Sequence, residues 1–391
     1  MNRKKLACAA GIAALCVMPS AEKMSAQEGQ GQEKIFTFDA LGAGKGPGST
    51  NCFGSCPGTV AENANGKGAI TGYFLDSGNV YHGFVRDCEG KITEFEAPQA
   101  GTSPNQGTVA YSINSEGAIA GQFQDSDNKY HGFLRSPGGE FTVFDIPGLF
   151  PGPNQGPSGT ANINDAGEIA GYYLDENNVN YGFVRYPDGL IRTFGAPLAS
   201  TIADFAPQGT NVALESGLNE EGALTGWYYD ANQAVHGYLR TPDGYIVAFD
   251  NQEGGSGAYQ GTYPGSINPQ GEITGGALDG NYVYHGFVRF PDRKMETFQA
   301  PGYGDTPGSF QGTFGVGINA RGEVTAYFTD SNNVSHGAVR YCDGRVETFD
   351  VAVKGIGAGQ GTTPQGINEE GLVIGYFTDS NNVNHAFVRL P

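Results

Sequence analysis

The sequence predicts an all-β fold, a seven-bladed β-propeller with four antiparallel strands per blade, and three observations lead to this prediction. A unit of about fifty residues recurs seven times along the chain, and repeats of about this length are typical of propeller blades. Each copy contains short runs of aromatic and β-branched residues separated by turn residues. The last copy ends before its fourth strand, and a matching strand stands near the N-terminus.

The seven copies align without a gap on the glycine of an Asn-x-x-Gly motif. An Asp stands eight positions after this glycine in every copy, a His or Tyr fourteen positions after it, and an Arg eighteen positions after it. The glycines are Gly68, Gly117, Gly167, Gly222, Gly271, Gly322 and Gly371. The His or Tyr positions are His82, His131, Tyr181, His236, His285, His336 and His385.

Within the unit we predict four strands, A to D. Strand A runs into Asn-x-x-Gly, strand B ends at the Asp, and strand C runs from the His to the Arg, as in "AITGYFLD" and "YHGFVRD". The alternation of apolar residues and the turn residues between these runs indicate strands rather than helices. Strand D carries a Phe thirteen residues after the His, at Phe95, Phe144, Phe194, Phe249, Phe298 and Phe349.

The seventh copy has no strand D of its own. The segment "EKIFTFDA", residues 33–40, matches "GKITEFEA" and "GRVETFDV" and places Phe38 in the phenylalanine position. We therefore predict that the N-terminal strand completes the C-terminal blade, which is how a ring of blades joins its ends, whereas an open solenoid needs distinct caps. The predicted propeller covers residues 34–391.

Residues 1–26 have the layout of a secretory signal peptide. Three basic residues, Arg3, Lys4 and Lys5, precede an apolar run that ends at Met18 and is followed by Pro-Ser-Ala. Residues 27–33 then form a linker. We expect a secreted or periplasmic protein, with the exact cleavage position left open.

The charge excludes some partners. The chain has 22 Lys and Arg and 41 Asp and Glu; without the first 26 residues these become 18 and 40, a net charge of −22. Binding to phosphate backbones or anionic lipid depends on Lys and Arg. The sequence therefore predicts no nucleic-acid partner, no membrane insertion and a monomer.

The motif His-Gly-Phe occurs at His82, His131 and His285, and its variant His-Ala-Phe begins at His385. Together with the preceding Asn-x-x-Gly and the following Arg, these motifs make the chain resemble the bacterial extracellular HAF-repeat family. The resemblance covers nearly everything after the leader. It implies an exported repeat protein and says little about activity, and Tyr181 and Ala338 depart from the motif.

A residue that occurs in every blade is expected to have a structural role in the blade. Asn-x-x-Gly predicts a hairpin turn, and the Asp at the end of strand B predicts a turn held by its own carboxylate, which also orients the His of strand C. Calcium at these aspartates is a less favoured alternative, because each loop offers mostly one carboxylate. We predict structural histidines and no metal or other cofactor.

The loops from strand D to the next strand A carry all the predicted length variation, and binding residues are concentrated in such loops. The candidate ligand-binding residues are Trp227, Tyr228, Gln106, Gln208, Gln260, Gln311 and Gln360. The glutamines belong to a repeated Gln-Gly-Thr that opens strand A. Two alternatives stay open: the motif only seats strand A, and Trp227 is a core residue in a column of tyrosines.

The sequence contains no Gly-x-Ser-x-Gly and no His-Glu-x-x-His, so no nucleophile or metal motif indicates an enzyme. We predict a recognition or adhesion scaffold that binds a carbohydrate or polar peptide on the face of the D-to-A loops. A glycoside hydrolase or polysaccharide lyase is the alternative, and a structural envelope protein is the third.

Four cysteines follow the leader. Cys52 and Cys56 lie in one loop, and an exported protein favours a disulfide between them. Cys88 and Cys342 lie in blades 1 and 6, too far apart to pair with each other. The sequence therefore predicts one disulfide and two unpaired thiols, at Cys88 and Cys342.

Overall fold

The structure is a computed structural model that describes residues 35–46, 56–201, 208–214 and 216–391. The predicted signal peptide and linker and Cys52 lie outside these ranges. Within them the chain forms 28 β-strands and no α-helix, which confirms an all-β protein. No helix of the described part is long and apolar enough to cross a membrane.

The strands follow the repeats, and we number the units 1 to 7 accordingly. Unit 1 contains β2 (Gly58–Ala64), β3 (Ile70–Leu75), β4 (Tyr81–Arg86) and β5 (Ile92–Phe95). Unit 2 contains β6 (Gly107–Ile113), β7 (Ile119–Gln124), β8 (Tyr130–Arg135) and β9 (Phe141–Phe144). Unit 3 contains β10 (Gly156–Ile163), β11 (Ile169–Leu174), β12 (Asn180–Arg185) and β13 (Ile191–Phe194). Unit 4 contains β14 (Thr210–Val212), β15 (Leu224–Tyr229), β16 (Val235–Arg240) and β17 (Ile246–Phe249).

The later units repeat this order. Unit 5 contains β18 (Gly261–Ile267), β19 (Ile273–Leu278), β20 (Tyr284–Arg289) and β21 (Met295–Phe298). Unit 6 contains β22 (Gly312–Ile318), β23 (Val324–Thr329), β24 (Ser335–Arg340) and β25 (Val346–Phe349). Unit 7 contains β26 (Gly361–Ile367), β27 (Val373–Thr378) and β28 (Asn384–Arg389). The remaining strand, β1 (Ile35–Phe38), precedes unit 1.

Each unit is an antiparallel meander, and β1 supplies the fourth strand of unit 7. It pairs antiparallel with β28, with Ile35 opposite Arg389 and Phe38 opposite Ala386. The equivalent pair in unit 1 joins β4 to β5, with Arg86 opposite Ile92. The pairing predicted for the N-terminal strand is therefore confirmed.

Two kinds of turn follow the predicted chemistry. In unit 1 the Asn65 side chain accepts hydrogen bonds from the backbone N–H groups of Lys67 and Ala69, at 3.1 and 3.0 Å, and Gly68 takes a φ of 79°. The Asp76 carboxylate accepts bonds from the N–H groups of Gly78 and Val80, at 2.7 and 2.9 Å. The carboxylate-held turn predicted at the end of strand B is confirmed.

The asparagines also connect successive units. Each side-chain Nδ2 donates to the backbone oxygen of the Asn in the next unit, at 2.9 Å from Asn65 to Asn114 and 3.2 Å from Asn114 to Asn164. The series continues through Asn219, Asn268, Asn319 and Asn368. Asn368 of unit 7 then donates to Asn65 of unit 1 at 3.1 Å. The seven amides thus form an uninterrupted cycle of hydrogen bonds.

The arginine of strand C lies over the strand D phenylalanine of the preceding unit. The guanidinium carbon is 4.7 Å from the ring centroid for Arg135 over Phe95. For unit 1 the preceding phenylalanine is Phe38, and Arg86 lies 5.1 Å above its ring. The other pairs are Arg185 and Phe144, Arg240 and Phe194, Arg289 and Phe249, Arg340 and Phe298, and Arg389 and Phe349.

The hydrophobic core lies between units. One cluster joins Phe123 and Phe133 of unit 2 to the partly buried Val85 and Phe95 of unit 1. Another joins residues of unit 7, such as Ala386, to Phe74 and Phe84 of unit 1. The Phe of the His-Gly-Phe motif is fully buried wherever it occurs. The glycine before it leaves room for the strand D ring, since a Cβ on Gly132 would overlap the ring of Phe144.

Two predictions are wrong. Length variation is not confined to the D-to-A loops, because β10 has eight residues where β6 has seven, and in unit 4 the inner strand stops at Val212 and pairs again only from Ser216. The repeat alignment fixes only the strand D Phe and the Asn of the next unit, so it does not separate the loop from strand A, where these insertions lie. Cys342 is disulfide-bonded, as Cys56 is, so the prediction that Cys342 is an unpaired thiol is wrong; positions in the repeat do not reveal which thiols come within bonding range. The Cys52 to Cys56 pairing stays a prediction.

Candidate functional site

A cleft of about 300 Å³ opens between units 1 and 2, on the face that carries the D-to-A loops and the turns after strand B. Four tyrosines and four side-chain amides line it, together with the smaller Gly107 and Val109 and the buried Phe123. The tyrosines are Tyr73, Tyr81, Tyr111 and Tyr130. The amides are Asn105, Gln122, Gln124 and Asn154. None of the described residues in this lining is charged.

The strand geometry brings the tyrosines together. Tyr73 lies on β3 and Tyr81 opens β4, and their rings meet edge to face with centroids 5.5 Å apart. Tyr111 comes from β6, the innermost strand of unit 2, and packs against a buried cluster that contains Tyr73 and Val109. Tyr130 opens β8 on the other side of the cleft. Two neighbouring units therefore provide flat apolar surfaces around one space.

The glutamines come from one strand. Gln122 and Gln124 lie two positions apart on β7, so their side chains project from the same face of the sheet. Gln124 donates from Nε2 to Asn154 Oδ1 at 2.9 Å and to the backbone oxygen of Asn128 at 3.0 Å. These bonds fix the Gln124 amide and tie the loop before unit 3 to the wall of the cleft.

Gln122 is different because its amide makes no hydrogen bond to another described residue. The residue is 7% exposed and its Oε1 is buried without a partner. Leaving a buried polar atom unsatisfied costs about 1 to 3 kcal/mol. The wall of the cleft therefore holds an uncommitted donor and acceptor.

Burial acts on three of the four tyrosine hydroxyls. It raises the pKa of Tyr73 and of Tyr111 well above 10, and the nearby charge of Glu62 raises both further. Burial also raises the pKa of Tyr130. Glu62 lies on the innermost strand of unit 1 and accepts a bond from Gln365 Nε2 at 3.4 Å. At neutral pH the cleft therefore presents protonated phenols beside one carboxylate.

The glutamines of the Gln-Gly-Thr motif are engaged elsewhere. Gln106 donates from Nε2 to Asn128 Oδ1 at 2.9 Å and accepts from the N–H of Ser103 at 3.1 Å. Gln260, Gln311 and Gln360 likewise bond their own loop and the turn after strand B. Gln208 is 3% exposed. These contacts support the alternative that the motif seats strand A.

The threonine and glycine of the Gln-Gly-Thr motif also hold strand A in place. Thr108 is fully buried and accepts a hydrogen bond from the N–H of Ala97 at 2.9 Å. Gly107 takes a φ of 115°, and a Cβ there would overlap the backbone oxygen of Tyr81 in the preceding unit. Glycine is required because only it combines this φ with so close an approach of two backbones.

Trp227 and Tyr228 lie in unit 4, away from the cleft. Trp227 is half-buried on β15, and its ring centroid is 6.0 Å from that of Tyr263. Tyr228 is 2% exposed and stacks on His236 at 5.1 Å. Tyr228 is therefore a core residue, and the structure does not bring either side chain to the tyrosines between units 1 and 2.

Sequence reasoning missed the cleft residues, although one signal was present. Gln122 occupies the strand B position that is Tyr73 in unit 1 and Tyr172 in unit 3. A polar residue at a position that is aromatic in most units departs from the repeat. Such a departure indicates a position that the shared fold of the units does not constrain. Tyr111 gave no such signal, because its position is variable among the units.

The histidines form a second repeated polar feature. His131 lies between two carboxylates, with Nε2 3.2 Å from Asp125 Oδ2 and Nδ1 2.8 Å from Asp145 Oδ1. The equivalent Nδ1 contact of His385 is to Asp39, which follows β1, at 3.0 Å. In unit 5 Gln299 replaces the second carboxylate of His285. The structural role predicted for the histidines fits these contacts.

The carboxylates shift the histidine pKa. The bond to Asp145 raises the pKa of His131 above 6.5 and outweighs the opposing effect of burial. Burial lowers the pKa of His385, but the contacts with Asp39 and Asp379 raise it by a larger amount. The net shift of the pKa is therefore upward. No group of three or more His, Cys, Asp or Glu side chains in the described ranges is arranged to hold a metal ion.

A second groove, of about 1000 Å³, lies along units 4 and 5. Its charged side chains are partly paired with each other or with neighbours: Lys294 bonds Asp292 at 2.7 Å, and Glu296 bonds Arg340 at 2.7 Å. The groove has about three times the volume of the tyrosine-lined cleft. A small ligand would therefore be less closely surrounded in the groove than in the cleft.

Comparison with known proteins finds no matching family model and no matching curated protein. Among solved structures the chain is similar to the BP39L lectin from Burkholderia pseudomallei, with 8% identity and a TM-score of 0.51 over 84% of this chain and 94% of the lectin. It is also similar to a structure from a study of two prolyl endopeptidases, with 12% identity and a TM-score of 0.50 over 82% of this chain and 46% of that one. The chain thus spans less than half of the endopeptidase. These likenesses concern the fold alone, and the lectin among these neighbours is a β-propeller.

Proposed function

We propose that this protein is an exported seven-bladed β-propeller that recognises a carbohydrate in the cleft between units 1 and 2. The ring is supported by three contacts between unit 7 and unit 1. Asn368 bonds Asn65, Arg86 lies over Phe38, and Gly58 meets Asn384 in a parallel bridge. Each contact repeats the one made between other neighbouring units, so the last unit adjoins the first as any unit adjoins the next.

We base the choice of a carbohydrate ligand on the residues that line the cleft. Aromatic rings offer the apolar faces of a sugar a flat surface at low conformational cost, and amides and phenols bond its hydroxyls. The uncommitted Gln122 amide is the group that gains most from a ligand. The fold shared with a lectin supports this class of ligand, and the amides also suit a polar peptide.

Export and family are proposed on the sequence alone. The leader, the extracellular HAF-repeat resemblance and the strongly negative surface fit a secreted or periplasmic recognition or adhesion module that acts as a monomer. Secretion is tested by locating the protein in fractionated cells and by N-terminal sequencing of the mature form.

Ligand binding is tested on a glycan array with the mature chain and three variants. Tyr81→Ala and Gln122→Ala alter the cleft, and Tyr245→Ala is the matched control because Tyr245 is 72% exposed on the opposite face. We expect each cleft variant to lose at least tenfold in affinity and the control to bind as wild type, with melting curves confirming folding. Binding that survives both cleft variants, or a chain that binds no glycan, would overturn the proposal.

A further inference from the structure

We infer that the cleft between units 1 and 2 selects neutral saccharides of one or two rings and discriminates against acidic ones. This inference rests on the proposed function and deepens it. It follows from the size of the cleft, from the chemistry of its lining and from the charge that stands behind the lining.

Size limits the ligand first. Ligand pockets usually measure about 300 to 1,000 Å³, and this cleft, at about 300 Å³, is at the lower end. Tyr73 and Tyr81 meet at one side and Tyr130 stands at another. The enclosed space therefore suits a terminal sugar or a disaccharide rather than a long stretch of polysaccharide.

The lining sets the charge preference. The described residues that line it include no Lys or Arg, and phenols are uncharged at neutral pH, the more so for Tyr73 and Tyr111, whose pKa burial raises. A carboxylate moved from water into such a lining gains only neutral hydrogen bonds, and burying an unpaired charge is costly. A hydroxyl at the same place finds the phenols and the Gln122 amide as partners.

Glu62 adds repulsion. Its charge acts on Tyr73, on Tyr111 and on Tyr376, whose pKa burial and this charge raise to about 12. Glu62 holds in β2 the position that Tyr111 holds in β6, three residues before the Asn of Asn-x-x-Gly. An acidic sugar would be repelled by this carboxylate and by the net negative charge of the whole protein.

The preference also follows from Gln122. Its amide carries both a donor and an acceptor, and the neighbouring Gln124 amide is already bound to Asn154 and Asn128. The C6 hydroxyl of a neutral sugar can donate to Oε1 and can also accept from the amide nitrogen. A carboxylate at C6 accepts only, so in the same position it would leave the buried Oε1 without a partner.

The test compares sugars that differ only at C6. Binding of glucose and glucuronate, of galactose and galacturonate, and of their methyl glycosides is measured by calorimetry with the mature wild-type chain. We expect the neutral member of the bound pair to bind at least tenfold more tightly. The Glu62→Gln variant should improve the affinity of the acid relative to its neutral partner by at least threefold.

The outcomes separate this inference from the proposed function. If no member of any pair binds, both fail. If the acidic member binds as well as the neutral one or better, the selectivity is wrong while carbohydrate binding stands. If Gln122→Leu, which keeps the side-chain volume but removes both bonding groups, leaves neutral-sugar affinity unchanged, the role given to the amide is wrong.

Discussion

Truncation of Phe38 to alanine tests whether the N-terminal strand is an integral part of the last unit. Phe38 is half-buried at the end of β1 and meets the fully buried ring of Phe84 edge to face, with centroids 6.0 Å apart. Its other face carries Arg86. Phe95 has the equivalent position in unit 1, edge to face with the buried Phe133 at 6.4 Å and beneath Arg135.

The structure gives the size of the effect. Truncating a fully buried Phe costs about 3 to 5 kcal/mol, and the partial exposure of Phe38 reduces this to about 2 to 4 kcal/mol when its aromatic and cation contacts are included. Because the surroundings of Phe38 and Phe95 match, Phe38→Ala and Phe95→Ala should lower the free energy of unfolding by the same amount within about 1 kcal/mol. Leu41→Ala, at a residue that is 90% exposed, is the control and should change little.

Denaturant unfolding provides the assay, because the protein has a single tryptophan. Trp227 lies in unit 4, so its fluorescence reports whether damage in unit 7 is transmitted through the molecule. Far-ultraviolet circular dichroism follows all strands at once. If Phe38→Ala shifts the midpoint no more than Leu41→Ala while Phe95→Ala shifts it strongly, β1 contributes little to the stability of unit 7, and the proposed closure of a ring by β1 is refuted.

Two further predictions concern pH and packing. Asp145 raises the pKa of His131, so the stability from this pair is complete below about pH 6.5 and is lost as pH rises through the raised value. Burial pushes the pKa of Asp125 up, but bonds from backbone N–H groups and from His131 lower it overall, so its contribution holds above about pH 4 and is lost on further acidification. Melting temperatures should therefore be higher at pH 5.5 than at pH 8.5, by a margin that shrinks in His131→Gln; an equal margin in the variant would contradict this. Gly132→Ala should cost about 1 to 3 kcal/mol in denaturant unfolding, because the added Cβ overlaps Phe144 in a packed core, and an unchanged midpoint would refute it.

Features that depend on residues within a few positions of one another can be read from the sequence. Asn65 and Gly68 specify a turn in any context, and Asp76 specifies another, because each side chain bonds the backbone at two and four residues away. The match between Phe38 and the other strand D phenylalanines placed β1 beside β28, because strand pairs are specified by pattern. The all-β class and its four-strand unit followed from these local rules.

Contacts between neighbouring units depend on how the units pack and could not be read from the repeat. The Gln106 amide meets Asn128, 22 residues later, and this contact turned a predicted ligand group into a fixed part of the blade. Gln122 shares a cleft with Tyr81 because two sheets stack at a particular distance, and the repeat pattern, which is the same in every unit, carries no information on that spacing. Local hydrogen bonds are encoded within one segment, whereas the shape of a cleft between segments depends on side-chain packing across the whole interface.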